Sequence, residues 1–549
     1  MRAPGRGASF LLLLFALAAP LSAQPPDPCA VIRLRHVAAE AGLDFKHDSG
    51  RTPMRHLPES MGAGVAWIDY DGDGWLDLYA VQSGPFPPDG SAGAANRLFR
   101  NLGNGRFEDV TARTGAGDRG YGQGATVADV EGDGDSDLYL SNFGPDVLLL
   151  NRGDGTFEDA TARAGLGVGG WSSAAAFGDV DADGDLDLYV TRYVAYDPDH
   201  GLFCGDFEAG RRDYCDPSLF SGEQDRFYHN RGDGTFEDAT VKAGFEGATG
   251  RGLGVVVVDL DGDRRPDVYV ANDLDPNFLF RNRGDGTFED VSLISGTAVN
   301  RAGKAEASMG IAVGDFDGDF TPDLTVTNFD AETNTLYRNL GGLQFEDVSA
   351  ASGFGPPSYN LLGFGIVALD LDRDRDLDFF IANGHVFESP KWDSVTYAQP
   401  PLLLTGTGKG KYEEKRCALP PGDPQVSRGL AAGDHDNDGD PDLAVGNNGN
   451  ALQLIRNEVT AGSWLGVDLL GRAPNTRGVG ARVTLATRGG RQVRWVLAGD
   501  SYQSTSDPRV LFGFPEGDAP VELEIVWPSG KTQRFKAPGE KRYLVVAEP

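Results

Sequence analysis

Asp69-Tyr70-Asp71-Gly72-Asp73-Gly74-Trp75-Leu76-Asp77 places carboxylates at positions one, three, five and nine of a nine-residue loop, with a backbone carbonyl on offer at position seven. An oxygen-only cage of this kind suits a hard divalent cation, and calcium best, because calcium accepts many oxygens in flexible geometry. The pattern returns six more times: Asp129, Glu131, Asp133 and Asp137; Asp179, Asp181, Asp183 and Asp187; Asp259, Asp261, Asp263 and Asp267; Asp315, Asp317, Asp319 and Asp323; Asp370, Asp372, Asp374 and Asp378; Asp434, Asp436, Asp438 and Asp442. The flanks are strand-like and the last acid is at nine, whereas an EF-hand needs helices and a Glu at twelve. Up to seven structural calcium ions are therefore expected. Position six calls for a left-handed turn that glycine takes without steric cost. Gly74, Gly134, Gly184 and Gly439 supply it, and Arg264, Phe320 and Arg375 do not. Arg373 and Arg375 bring positive charge to loop six, which is expected to be the weakest site.

The loops start 50 to 80 residues apart, a spacing that marks a repeat architecture. A run rich in Gly and Ala precedes each loop, as in 61–68, 122–128 and 252–258, and reads as a buried strand. A second strand follows each loop. A third then leads into an Asp-Gly or Asn-Gly hairpin signal and a fourth, at 101–111, 151–161, 230–240 and 282–292, with a looser copy at 339–349. Four antiparallel strands repeated seven times predict an all-β fold, a seven-bladed β-propeller over residues 30–458, with a linear solenoid as the alternative. The seventh repeat lacks its fourth strand, and residues 34–43 match 157–166. A strand within 32–43 would then close blade seven and remove the exposed sheet edges.

Thirty-two of the 82 acidic residues lie in the seven loops, so the net charge of −33 belongs largely to them. That balance argues against a nucleic-acid partner, which needs clustered Lys and Arg. Residues 1–23 read as a signal peptide: Arg2 and Arg6, an apolar run over 10–18, then Leu21-Ser22-Ala23. No transmembrane segment is expected, and the protein should be exported, either secreted to the extracellular space or periplasmic. Four cysteines suit an oxidising compartment. Cys204 and Cys215 share an irregular insertion over 193–224 and are expected to pair. Cys29, just before the closing strand, would then meet Cys417 in the outer strand of blade six. A shorter insertion covers 385–399. From residue 463 the loops stop, and short strands over 463–549 indicate a separate small β-sandwich-like domain or partly open barrel.

The acidic loop within a four-stranded blade resembles the FG-GAP repeats of integrin α propellers and bacterial VCBS proteins. Arg477-Gly478-Val479-Gly480-Ala481-Arg482-Val483, Gly499-Asp500-Ser501-Tyr502-Gln503-Ser504, Leu511-Phe512-Gly513-Phe514 and Trp527-Pro528-Ser529-Gly530 resemble an ASPIC/UnbV domain. Together they resemble the cartilage acidic protein family, which implies an extracellular calcium-binding protein. Vertebrate members add a Cys-rich, growth-factor-like module that these residues do not contain, so adhesion and neural roles are not carried over.

Five residues beyond each last acid stand Gln82, Asn142, Arg192, Asn272, Asn328, Asn383 and Asn447, about 17 Å from the loops on the opposite face. A ring of amides at a propeller mouth suits a sugar or other polar ligand, with Asn272, Asp273, Asn328, Asn383, His385 and Trp171 as candidate ligand-binding residues. The competing reading is that each amide caps its own turn. Arg-Gly-Asp at 152–154, 231–233 and 283–285 sits in the hairpin turn, where Asp-Gly serves turn geometry. No zinc-spaced His pair, Gly-x-Ser-x-Gly or phosphate loop occurs, so no catalytic residues are assigned. The sequence thus predicts a calcium-binding scaffold for extracellular protein or glycan. The alternatives are a carbohydrate-active hydrolase or lyase at the mouth, and a structural surface or matrix protein.

Overall fold

The computed structural model describes residue 1 and residues 31–549, apart from 89–93, 209, 389–394 and 423. The signal-peptide reading and Cys29 lie outside the described residues. The protein is all-β. Seven four-stranded sheets hold each loop between their first two strands, for example Val65–Ile68 and Asp77–Ala80 in sheet one, and Gly252–Val258 and Asp267–Asn272 in sheet four. In six of them the chain runs strand to neighbouring strand. In the seventh, Leu34–His36 pairs antiparallel with Gln453–Asn457, bringing the start of the described chain against its seventh repeat. The first strands touch their neighbours in sequence order, and that of sheet seven (Ser427–Gly433) touches that of sheet one. The sheets therefore form a closed ring. Apolar clusters such as Ile68, Tyr79, Leu98, Val127 and Leu138 fill the spaces between successive sheets.

The chain beyond the ring forms a three-stranded and a four-stranded sheet. Its strand Ser463–Leu470 pairs parallel with Tyr543–Ala547, and Thr532–Lys536 adds an edge strand without a sequence-stretch signal of its own. This C-terminal domain rests on the acidic-loop face. Tyr543 donates to Asp434 Oδ2 at 2.8 Å, Thr476 bonds Asp129, Arg477 reaches the Gly134 carbonyl, and Arg375 pairs with Asp518 at 2.6 Å.

One segment of the C-terminal domain runs into the axis of the ring. Backbone bonds join Phe177 to Ala498, Ile311 to Ser501 in both directions, Ala125 to Gln503 and Trp67 to Thr505. The Ser501 and Ser504 hydroxyls accept from the amides of Ile366, Leu430 and Val65. Sheets one, two, three, five, six and seven thus bond it directly. Tyr502 at its tip is fully buried among Leu57, Met61, Leu253, Met309 and Phe364, with its ring 5.0 Å from that of Phe364. This axial segment explains why the first strands are built from small residues. A Cβ on Gly64 would lie 2.2 Å from the Gln503 carbonyl oxygen, and one on Gly124 would be 3.0 Å from the Gln503 backbone.

In the insertion, Cys204 and Cys215 form a disulfide. Cys417 is disulfide-bonded as well. Among the described residues no helix is long and apolar enough to cross a membrane.

Candidate functional site

Two faces of the ring carry chemistry. On the loop face, positions four and six take positive φ in every loop, including Arg264 at 69°, Phe320 at 70° and Arg375 at 92°. The curl brings carboxylates together: Asp69, Asp71 and Asp77 each place an oxygen within 4.8 Å of the others, as do Asp259, Asp261 and Asp263, and Asp315, Asp317 and Asp323. His229 joins Asp181 and Asp183, and His435 joins Asp436 and Asp442, two imidazoles that the carboxylate pattern did not include.

The position-nine carboxylate is held by backbone amides on both oxygens. Asp77 accepts from Tyr70 N and Asn101 N, and Asp267 from Leu260 N and Asn282 N. Burial pushes the Asp77 carboxyl up to about 9, and those of Asp267 and Asp323 to about 8. Buried charge without compensation is costly, and a divalent cation would supply that compensation. The fit is marked by oxygens with no hydrogen-bond partner among the described residues: Oδ1 of Asp71, Asp179, Asp372 and Asp436 is buried and unsatisfied. Arg100 lies against Asp71 and Asp73, and Arg456 against Asp436 and Asp438, so sheets one and seven carry a cation beside the loop. In loop six the two arginines turn outward instead, Arg373 to Asp440 of loop seven and Arg375 to Asp518 of the C-terminal domain.

A second device was missed by sequence reading. Asn101, Asn151, Asn230, Asn282, Asn339 and Asn457 close the third strands and are buried. Each Nδ2 donates to the position-two carbonyl of the preceding sheet's loop, at 2.7–3.0 Å: to His435, Tyr70, Val130, Val180, Leu260 and Leu371 in turn. Sheet six has Gly406 here, and the Tyr412 hydroxyl reaches the Phe316 carbonyl at 3.2 Å in its place. Neighbouring loops are therefore tied in series. The signal was the recurring Asn-x-Gly, which reads first as a turn.

On the opposite face the amide ring is corrected. Asn272, Asn328 and Asn383 are at most 1% exposed, and their Nδ2 atoms donate to the carbonyls of Pro276, Thr333 and Pro400. They cap their own turns because a buried amide nearest a free carbonyl satisfies it first. Trp171 is also buried, its ring 4.9 Å from that of Tyr193. Asp273 and His385 both line a cavity of about 540 Å³. Tyr193 donates to Asp273 Oδ2, and His385 Nε2 lies 3.1 Å from Asp330 Oδ1. Burial pushes the Asp273 carboxyl up to about 7. The insertion contributes Gly205 and residues 213–217, and Leu57, Met61 and Phe364, which surround Tyr502, line the same space.

The turns beneath the mouth also show a titratable variant. The backbone N–H groups of Gln82, Asn272 and Asn328 donate to Asn96, Asn277 and Asn334, but those of Asn142 and Arg192 donate to Asp146 and Asp225. Burial raises Asp225 to about 7. An unfolded Asp titrates near 4, so its stabilising contribution is present below about pH 4 and lost as pH rises through 7. Asn277 does the same task while donating to the Tyr269 hydroxyl, as Asp225 accepts from Tyr189. Asp225→Asn is accordingly expected to stabilise the protein by about 3 kcal/mol at pH 8 and by much less at pH 5. Urea unfolding at the two pH values checks this, and equal effects at both would contradict it.

Residues 69–140, 129–190, 216–270, 259–326 and 315–381 match the model of the FG-GAP-like repeat, and residues 471–549 match that of ASPIC and UnbV. Cartilage acidic protein 1 of Homo sapiens is 29% identical over 328 residues, covering 57% of this chain and 46% of that protein. The Xenopus tropicalis protein of the same name is 28% identical, covering 57% and 47%. The chain thus spans just under half the length of the curated relatives it matches. Among solved structures, an Agrocybe aegerita lectin described as recognising non-reducing terminal N-acetylglucosamine is 16% identical, with a TM-score of 0.40, over 77% of this chain and 93% of that one.

Proposed function

Because the chain belongs to the FG-GAP-like repeat family, we propose that it is an exported, calcium-stabilised, seven-bladed propeller with an ASPIC/UnbV-like β-sandwich, acting as a binding scaffold for an extracellular protein or glycan. The buried, partnerless oxygens of Asp71, Asp179, Asp372 and Asp436 carry the calcium reading. The position-one, -three, -five and -nine acids of each loop would hold the ion, which supplies positive charge to a site otherwise short of it. Loop six, free of an arginine turned inward, counts as a full site in this reading. The disulfide between Cys204 and Cys215 suits export to an oxidising compartment. The mouth cavity, walled by an insertion on a rigid ring, is where a partner is placed.

A second reading is favoured by one observation: Asp273 with Tyr193, and His385 with Asp330, line the same cavity and offer the acid and base groups that a carbohydrate-active hydrolase or lyase uses. Binding arrays of glycans and extracellular proteins, run with and without calcium beside a hydrolase and lyase substrate panel, separate the two. Saturable binding without turnover, lost with Phe387→Ala at the cavity wall, is the expected result. Turnover abolished by His385→Ala would replace the scaffold with the enzyme.

A further inference from the structure

The mouth cavity has a consistent wall chemistry. Asp213, Asp216, Asp273, Asp330 and Glu332 stand around it, and among the described lining residues there is no lysine or arginine. Between the acids lie the aromatic side chains of Tyr193, Tyr214, Phe329 and Phe387, over a methionine- and leucine-rich floor. The floor is buried, while Gly205, Asp216 and Leu274 at the rim are exposed.

The basic groups packed nearby have partners of their own: Arg55 lies over the Tyr214 ring and pairs with Glu388, and Lys304 takes its charge to one of the five acids. Arg251 pairs with Asp275 at 2.7 Å and donates to the carbonyls of Pro217 and Phe220. Lys304 meets Glu332 Oε1 at 2.6 Å with its side chain 64% exposed. Arg428 is buried, its guanidinium 3.9 Å from the Phe364 ring centre, and donates to the carbonyls of Ser60, Gly384 and Ser427. Of the five acids, Glu332 is spent on Lys304 and the Ala307 amide, while Asp273 gives one oxygen to Tyr193, Asp330 one to His385, Asp213 one to the Tyr214 amide and Asp216 one to the Ser218 amide.

We propose that this cavity binds an organic cation, a protonated amine or guanidinium carried on an apolar body. The inference deepens the scaffold reading and rests on its placing the partner at the mouth. Carboxylates set in low-dielectric walls focus a negative potential, and aromatic faces attract a cation through their quadrupoles. An apolar body takes the place of water on Met61, Met309 and Leu253. A cavity of about 540 Å³ is of the size that encloses a small molecule or one long basic side chain. Anionic glycans meet the wrong sign of charge.

Calorimetry on the full exported chain with calcium present tests this. The probes are n-hexylamine, n-hexyltrimethylammonium, 1-hexanol and hexanoate, with a lysine-containing and a norleucine-containing hexapeptide as a second arm. The ammonium compounds or the lysine peptide are expected to bind at least tenfold more tightly than their neutral isosteres. Raising salt from 50 to 500 mM should weaken them several-fold, and both Asp273→Asn and Asp330→Asn should do so by tenfold or more. Preference for the free amine assigns a small-molecule source, and preference for the peptide assigns a protein one. Equal binding of amine and alcohol, tighter hexanoate, or no binding of any cation overturns the proposal. If cations fail but a neutral glycan or protein binds in a way that Phe387→Ala abolishes, the scaffold reading stands alone. If nothing binds and the mouth variants change nothing, both fall.

Discussion

Excess chelator is expected to lower the melting temperature by about 10 °C relative to the calcium-saturated protein. Extracellular sites bind calcium at roughly 0.1–1 mM. At about ten times the dissociation constant each site adds roughly 1.4 kcal/mol, and seven independent sites roughly 10. Unfolding a ring of this size carries an entropy on the order of 1 kcal/mol per degree, which sets the shift. The sign follows from the geometry. Without the cation, buried acids such as Asp77 and Asp267 must lose their charge or remain uncompensated, and the Asn282 type of clamp then ties together loops that repel themselves. Differential scanning calorimetry in calcium, in magnesium and in chelator checks the claim. An unchanged melting curve in chelator would sink the structural role of calcium.

Tyr502→Ala is expected to cost about 3–5 kcal/mol, as deletion of a large buried aromatic side chain does. Tyr502 is fully buried at the tip of the axial segment and belongs to the same apolar cluster as Leu253, Met309 and Phe364, which come from different parts of the ring. Since that segment bonds six sheets, ring and C-terminal domain should unfold in one transition in the wild type. In the variant the loss should appear in both domains, read by Trp171 in the ring and Trp527 in the tail. A cost below about 1 kcal/mol, or an effect confined to the tail, would mean that the segment lies in the axis without supporting it.

The repeat was legible because its signals are local. A carboxylate at every second position, a Gly or Asn turn and a short strand can each be read within a dozen residues. So can the match between 34–43 and 157–166, and Leu34–His36 does lie against Gln453–Asn457. What escaped is non-local. The Asn101 type of clamp reaches a carbonyl in another sheet, and only closure of the ring brings His435 beside it. For Asn272 and Asn383, distance along a strand says which face each residue occupies, not which carbonyl lies next to it, and so leaves ligand binding and turn capping both open. Asp273 and His385 are legible as candidates, but Tyr193 joins them from sheet three and Asp330 and Glu332 from the connection within sheet five, a meeting that only the closed ring produces. The axial segment was seen only as a motif, Gly499-Asp500-Ser501-Tyr502-Gln503-Ser504, whose small and polar residues give no hint that they are surrounded on all sides.

With residues 498–505 in place, the ring is a cup rather than a pipe. Its bottom is borrowed from another domain, and the same domain grips Asp129 and Asp434 on the far rim. The floor of the cup, Leu57, Met61 and Phe364, packs around Tyr502, so one domain underlies the mouth and holds the acidic loops at once.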